Sequence, residues 1–255
     1  MKGRWWHSID LGNGVVTEGA KSPETLRAEL MNLGLPNVSG KTVLDIGAWD
    51  GYFSFACERM GARQVVALDH FVWSLRFFEQ QQYSADCRAR GEAPKPFDQV
   101  PDLWDPVGLP GKQGFDLARR ALDSKVEDVV ADFMTIDLAK LGTFDVVLYL
   151  GVLYHMPNPV ASLERLARVT GEVAIIETEA VVVPGYEDRA MCEFFETDEL
   201  DGDPTNWWAP NIRALVAMCK AAGFRTVDTN VNAAEHAAAP PGQVQRYRTI
   251  VQAWK

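Results

Sequence analysis

Residues 42–53 read TVLDIGAWDGYF, and the centre of that stretch, Asp45-Ile46-Gly47-Ala48-Trp49-Asp50-Gly51, decides the fold. Thr42-Val43-Leu44 predicts a short buried strand. Gly51 to Met60 predicts the helix after it, with Gly61 as C-cap. At Gly47 no Cβ keeps a ligand away from the main chain. A mononucleotide loop would carry Lys followed by Ser or Thr, and both are missing. A dinucleotide loop would carry G-x-G-x-x-G, and the second glycine is missing. Asp45 and Asp50 would repel a pyrophosphate. They suit a cationic nucleotide without phosphate, and S-adenosylmethionine, with its ammonium and sulfonium, has that chemistry.

Downstream, Gln64–Asp69, Val126–Phe133, Phe144–Leu150 and Glu172–Glu177 read as further strands. Asn158–Val169 and Asn211–Ala222 read as helices, and Phe224–Val231 with Thr249–Trp254 as a closing pair of strands. This alternation predicts an α/β, doubly wound, Rossmann-like sheet with helices on both faces. Its ligands bind beyond the carboxyl ends of the strands, near the switch in strand order. One domain, 1–255, is expected, with three additions. They are an N-terminal lid (1–40), an insertion after the second strand (71–125) and a substrate-side insertion (180–210).

The strand ends supply the cofactor candidates: Asp45, Gly47, Trp49 and Gly51 in the loop, Asp69 and His70, Asp132 and Phe133, and Leu150. Asp69 lies 24 residues after Asp45 (69 − 45), near the roughly 20-residue spacing at which an acid meets a ribose diol. Asp132 offers a carboxylate to the adenine amino group, and Phe133 an apolar face to its ring. Asp45 is the expected organiser of the methionine end. Trp49 is expected either to narrow the loop or to pack beneath an insertion.

Composition bounds the rest. With 47% hydrophobic and 24% charged residues, the 255-residue chain is an ordinary globular protein. It has no apolar run near the roughly 18 residues of a membrane span and no secretory signal, so a cytoplasmic protein is expected. Cys57, Cys87, Cys192 and Cys219 form no C-x-x-C pair and read as reduced thiols. A net charge of −10 weighs against nucleic acid, which calls for a basic face. The expected partner is a small-molecule acceptor, and a homodimer is compatible with the chain.

The sequence resembles the class I S-adenosylmethionine-dependent methyltransferases. Within them it is similar to the family of the bacterial tRNA wobble-uridine carboxymethyltransferase. The resemblance rests on Trp6 to Gly14 (WHSIDLGNG), TVLDIGAWDGYF, Gly151 to Pro159 (GVLYHMPNP), Ile175 to Gly185 (IIETEAVVVPG) and NIRALVAMCKAAGF. It runs from about Trp5 to the C-terminus, interrupted by 71–125. It implies S-adenosylmethionine as cofactor and S-adenosylhomocysteine as product. Trp49 stands where the broad class has the central glycine of D-x-G-x-G-x-G. The tRNA enzyme uses a carboxylated donor, held partly by a lysine of an N-terminal extension. This chain is expected to start beyond that region, with no equivalent lysine. Tyr154 matches the family's tyrosine near that carboxylate, and Arg246 or Arg248 its C-terminal arginine. Ordinary methyl transfer is therefore expected.

Methyl transfer is an in-line displacement that needs alignment and, for a hydroxyl nucleophile, a base. His155, after the fourth strand, is the candidate base, with Tyr154 at the sulfonium end and Glu177 as a further catalytic candidate. Glu177 and Glu179 are expected to follow the fifth strand and face the same cleft. His7, Glu179, Trp207 and Arg246 are the acceptor-side candidates. A divalent metal held by His155 and the two glutamates is the lesser alternative, and no metal ligand is assigned. The reading is thus O-methylation of a small molecule in a biosynthetic pathway. Its alternatives are a tRNA wobble-uridine enzyme, a non-catalytic S-adenosylmethionine-binding protein and an NAD-dependent oxidoreductase.

Overall fold

The computed structural model describes residues 5–229 and 243–255. The N-terminal segment forms β1 (Trp5–His7), β2 (Gly19–Lys21) and α1 (Pro23–Asn32), with β1 and β2 pairing in parallel. Ser22 caps α1 by accepting the Thr25 N–H, and Pro23 starts it with a preset φ. Then follow β3 (Thr42–Ile46), α2 (Tyr52–Arg59) and β4 (Gln64–Asp69), as the opening stretch predicts.

The 71–125 insertion is more helical than its turn-rich sequence suggests. It holds α3 (Phe71–Ser74), α4 (Phe77–Ala89) and α5 (Gln113–Ala121), and leads into β5 (Glu127–Val130). After β5 come α6 (Leu138–Leu141), β6 (Phe144–Leu150), α7 (Pro159–Val169) and β7 (Thr170–Val182). The chain closes with β8 (Cys192–Phe194), β9 (Trp208–Pro210), α8 (Ile212–Ala221), β10 (Thr226–Asp228) and β11 (Gln245–Trp254). Residues 230–231 of the predicted closing strand lie outside the described residues.

These strands build a seven-stranded sheet in the order β10-β11-β7-β6-β3-β4-β5. Pairing is parallel from β7 through to β5, while β11 runs antiparallel to both of its neighbours. Strand order reverses between β3 and β6, so the ends of those two strands flank the crevice where such sheets bind ligands.

Neighbouring residues alternate across the pleat and fill two apolar layers. Val43, Val65, Val146, Leu148 and Ile175 join Leu26, Phe55, Trp73 and Phe115 on one face. Leu44, Ile46, Val147 and Ile176 join Leu163, Leu166 and Leu215 on the other. Each such burial contributes about 1.5–3 kcal/mol, which is why the register is firmly set.

One expectation is corrected. Glu177 and Glu179 do not follow the fifth strand but lie within it, because β7 continues to Val182. The cause is β11, which pairs with β7 from Gln245↔Val182 to Trp254↔Val173. Among the described residues, no helix is long and apolar enough to cross a membrane.

Candidate active site

The loop after β3 turns through three left-handed residues: Gly47 (φ 78°), Trp49 (φ 50°) and Gly51 (φ 83°). A Cβ on Gly47 would lie 2.7 Å from Val152 Cγ2, and one on Gly51 would lie 2.7 Å from the rings of Phe115 and Phe55. Trp49 takes the conformation without that freedom, and hydrogen bonds hold it there. Its N–H donates to Asp69 Oδ2 at 3.0 Å, and its carbonyl accepts the Trp73 indole N–H at 2.7 Å.

Asp69 also accepts the N–H groups of Val72 (3.1 Å) and Trp73 (3.4 Å) through Oδ1. Its carboxylate therefore ties the loop to α3, so the ribose contact expected of it competes with three main-chain donors. Asp45 lies buried behind the loop and accepts the Ser54 hydroxyl at 2.6 Å. Burial pushes both carboxyls up to about 6, and the charge of Asp69 adds to the effect on Asp45.

The N-terminal segment is fastened to this loop. Asp50 Oδ2 accepts the N–H groups of Trp6 (2.6 Å) and His7 (3.0 Å). Trp6 stacks on Trp49 with centroids 4.8 Å apart, and Phe77 of α4 meets Trp49 edge-on at 4.6 Å. Trp49 thus packs beneath the N-terminal segment and beneath the insertion. His7 stacks on Tyr52 at 6.0 Å, with Nδ1 buried, unpaired and 3.7 Å from Asp50 Oδ2. Its ring faces the loop and α2, an anchoring position.

Beyond β4, His70 meets Trp104 edge-on at 5.5 Å. Beyond β5, Asp132 is half-buried and accepts the Met134 N–H at 2.8 Å. Phe133 is turned into the core, 6.0 Å from the Tyr149 ring, with the Arg165 guanidinium 5.7 Å from its centre. The adenine face expected of it is therefore occupied by protein, and Asp132 is the polar group left at that strand end.

At the end of β6, Leu150 pairs with Glu177, and the Gly151 N–H donates to the Glu177 carbonyl at 3.0 Å. Tyr154 and His155 occupy the turn 153–155, their rings 4.3 Å apart. Arg248 gives two N–H groups to the Glu177 carboxylate and lies 3.6 Å from Glu179. Its guanidinium also covers the Tyr154 ring at 4.7 Å. Burial works against the charge of Arg248, but Glu177 and Tyr154 hold its pKa above the usual range. Burial raises Glu179 and Tyr154, with Arg248 opposing in both.

His155 Nδ1 lies 3.1 Å from the Thr205 carbonyl oxygen and 3.0 Å from its hydroxyl. Burial pushes the imidazole below its ordinary value, against the pull of Asp203. Trp207, 36% exposed, donates its N–H to the Tyr154 carbonyl at 2.8 Å, so the β8–β9 hairpin leans on this turn. Arg246 is held elsewhere, by two bonds to Glu193 (2.9 and 2.6 Å) and by the Glu199 carbonyl. Arg248, not Arg246, is the arginine beside Tyr154. Asp203 and Thr205 were not marked by any local motif. Among the described residues no group of three or more His, Cys, Asp and Glu could hold a metal ion.

Gly47 is solvent-facing at the switch point, across from Val152, with the buried Asp45 carboxyl behind it. Close-approach main chain backed by anionic groups fits a cationic nucleotide. Residues 19–229 match the family described as "Methyltransferase domain". The chain belongs to that family.

It is a methyltransferase by family and has the class I fold. The chain is 29% identical over 205 residues to a tRNA U34 carboxymethyltransferase of Dichelobacter nodosus (strain VCS1703A), covering 77% of this chain and 51% of that protein. It is 26% identical to the protein of that name from Pseudomonas putida (strain GB-1), covering 78% and 51%. The methyltransferase thus spans about half the length of these curated relatives. Among solved structures it is similar to the N-terminal domain of EvdMO1 with S-adenosylhomocysteine bound (TM-score 0.59, 19% identity, 98% of this chain and 91% of that one).

Proposed function

We propose that the chain transfers a methyl group from ordinary S-adenosylmethionine to a hydroxyl oxygen of a small-molecule acceptor. The acceptor oxygen bonds to the methyl carbon, whose bond to sulfur breaks with its electron pair going to sulfur. The hydroxyl proton passes to His155. Gly47 and Asp132 face the donor, Asp45 adds its negative charge from behind the loop, and Tyr154 and Glu179 line the transfer side. The observation that carries the reading is the engagement of Arg248 by Glu177, with Glu179 beside it. One cation between two carboxylates leaves no spare positive charge for a carboxylated donor, while it tolerates a sulfonium.

Calorimetry with S-adenosylmethionine and with its carboxylated derivative tests this. Tighter binding of the carboxylated donor would sink it. Methyl transfer to a panel of hydroxylated acceptors, read by mass spectrometry, should be lost in His155→Gln.

The names of the curated relatives favour a second reading, a tRNA wobble-uridine enzyme, and Tyr154 beside Arg248 agrees with it. It requires salt-sensitive tRNA binding, which a net charge of −10 opposes. A filter-binding titration against salt decides between the two.

A further inference from the structure

The segment Asp203-Pro204-Thr205 precedes β9 and reaches His155. Asp203 Oδ1 accepts two hydrogen bonds from Thr205, from its N–H at 2.9 Å and from its hydroxyl at 2.7 Å. A threonine hydroxyl has one proton, and here it points at Asp203. The same oxygen therefore meets His155 Nδ1, 3.0 Å away, as an acceptor. The Thr205 carbonyl oxygen, 3.1 Å from that nitrogen, can only accept. Both neighbours require the proton on Nδ1, which puts the lone pair of the neutral ring on Nε2.

We propose that Asp203 and Thr205 are positioning residues that hold His155 as the Nδ1–H tautomer, with Nε2 as the atom that receives the acceptor's proton. This rests on the reading of His155 as the base. The segment is braced on both sides. The Asn206 side-chain amide donates to the Leu200 carbonyl at 2.9 Å, and the Trp207 N–H donates to the Tyr154 carbonyl at 2.8 Å. The ring is thereby fixed in rotation as well as in tautomer, as alignment of a base requires.

The electrostatics suit the role. Burial favours the neutral ring, and so does the charge of Arg248 on β11. Asp203, from the β8–β9 side, stabilises the imidazolium that forms when the proton arrives. The Tyr154 ring, 4.3 Å away, is the aromatic neighbour on the same turn.

Nitrogen NMR of the full chain labelled with ¹⁵N-histidine tests this without any acceptor, bare and with S-adenosylhomocysteine. The chain has four histidines, and His155→Gln assigns the signal. The Nδ1–H form should exceed the alternative roughly tenfold, the ratio a net hydrogen bond of ordinary strength sets. Thr205→Val should erode that preference, and Thr205→Ser should restore it. Asp203→Asn should lower the midpoint of the His155 titration, because the imidazolium loses its anion. A dominant Nε2–H form in the unmutated protein overturns the proposal, and needs no variant to fold. So does an unmoved midpoint in Asp203→Asn. The base reading falls by a separate result, methyl transfer that survives His155→Gln, whatever the spectra show.

Discussion

Arg248 stands opposite Glu179 in the pairing of β11 with β7, yet it gives two N–H groups to Glu177, one pleat away. The diagonal leaves Glu179 3.6 Å from the same guanidinium, so two carboxylates share one cation at the carboxyl end of β6. The proposed preference for the ordinary donor turns on the charge at this point.

Glu177→Gln would free half of that pairing. The carboxylated donor should then bind better, by about 1 kcal/mol or roughly fivefold, since Arg248 is partly exposed and screened. S-adenosylmethionine should bind no better than before. Calorimetric titration of the variant with both donors reads the two effects side by side.

The pair Asp45 and Asp69 makes stability depend on pH. Both carboxyls titrate near pH 6 in the folded chain, above the ordinary 3.8, through burial. Below about pH 4 both states are protonated and the full stabilisation is present. As pH rises through about 6 the folded state must carry buried charge, and stability is lost. Asp45→Asn should therefore raise the melting temperature at pH 7.5, by a free energy on the order of 2 kcal/mol, and barely change it at about pH 3.5. It should also weaken binding of the cationic donor at pH 7.5. A variant with unchanged stability at both pH values would contradict this.

Trp49 should tolerate glycine poorly despite its left-handed backbone. Glycine relieves about 1 kcal/mol of strain. It also removes the stack on Trp6 and the edge contact with Phe77, worth about 2–4 kcal/mol together with the buried area. A net loss of about 1–3 kcal/mol is expected in Trp49→Gly, measured by urea unfolding. Limited proteolysis should then cut the N-terminal segment faster.

At Gly47 the margin is steric. In Gly47→Ala the new methyl meets Val152 Cγ2 at 2.7 Å and the residue must hold φ 78°. Donor affinity should fall at least tenfold, with a stability loss on the order of 1–2 kcal/mol. A companion Val152→Ala change, which opens that space, should recover part of the affinity by calorimetry.

The doubly wound sheet was legible because its signals are local. Thr42 to Ile46 and Phe144 to Leu150 are runs too apolar to face water, and the Gly47–Gly51 loop carries its own backbone requirements. The closing β11 begins at Gln245, four residues before its sequence signal at Thr249, since Gln245-Arg246-Tyr247-Arg248 has only one apolar side chain and carries no strand signal of its own. That extension carries β7 to Val182 and brings Glu177 and Glu179 into the strand. Phe133 looked like a ligand-facing ring because sequence gives the end of a strand but not the direction its side chains take. Arg248 was indistinguishable from Arg246 two residues earlier, since both lie on one face of β11.

The sequence by itself determined the sheet, its crevice and the positions of Asp45 and Gly47, because these follow from periodicity and from what a loop must do over a few residues; the methyltransferase reading and the place of Tyr154 came with the family resemblance. Only the tertiary structure decided that Asp50 holds the N-terminal segment, that Glu177 engages Arg248, and that Asp203 and Thr205 orient His155. Those pairs are 43, 71 and 50 residues apart or close to it, and hydrogen bonds across such separations leave no period in the chain. They exist because packing of the two apolar layers brings their elements together.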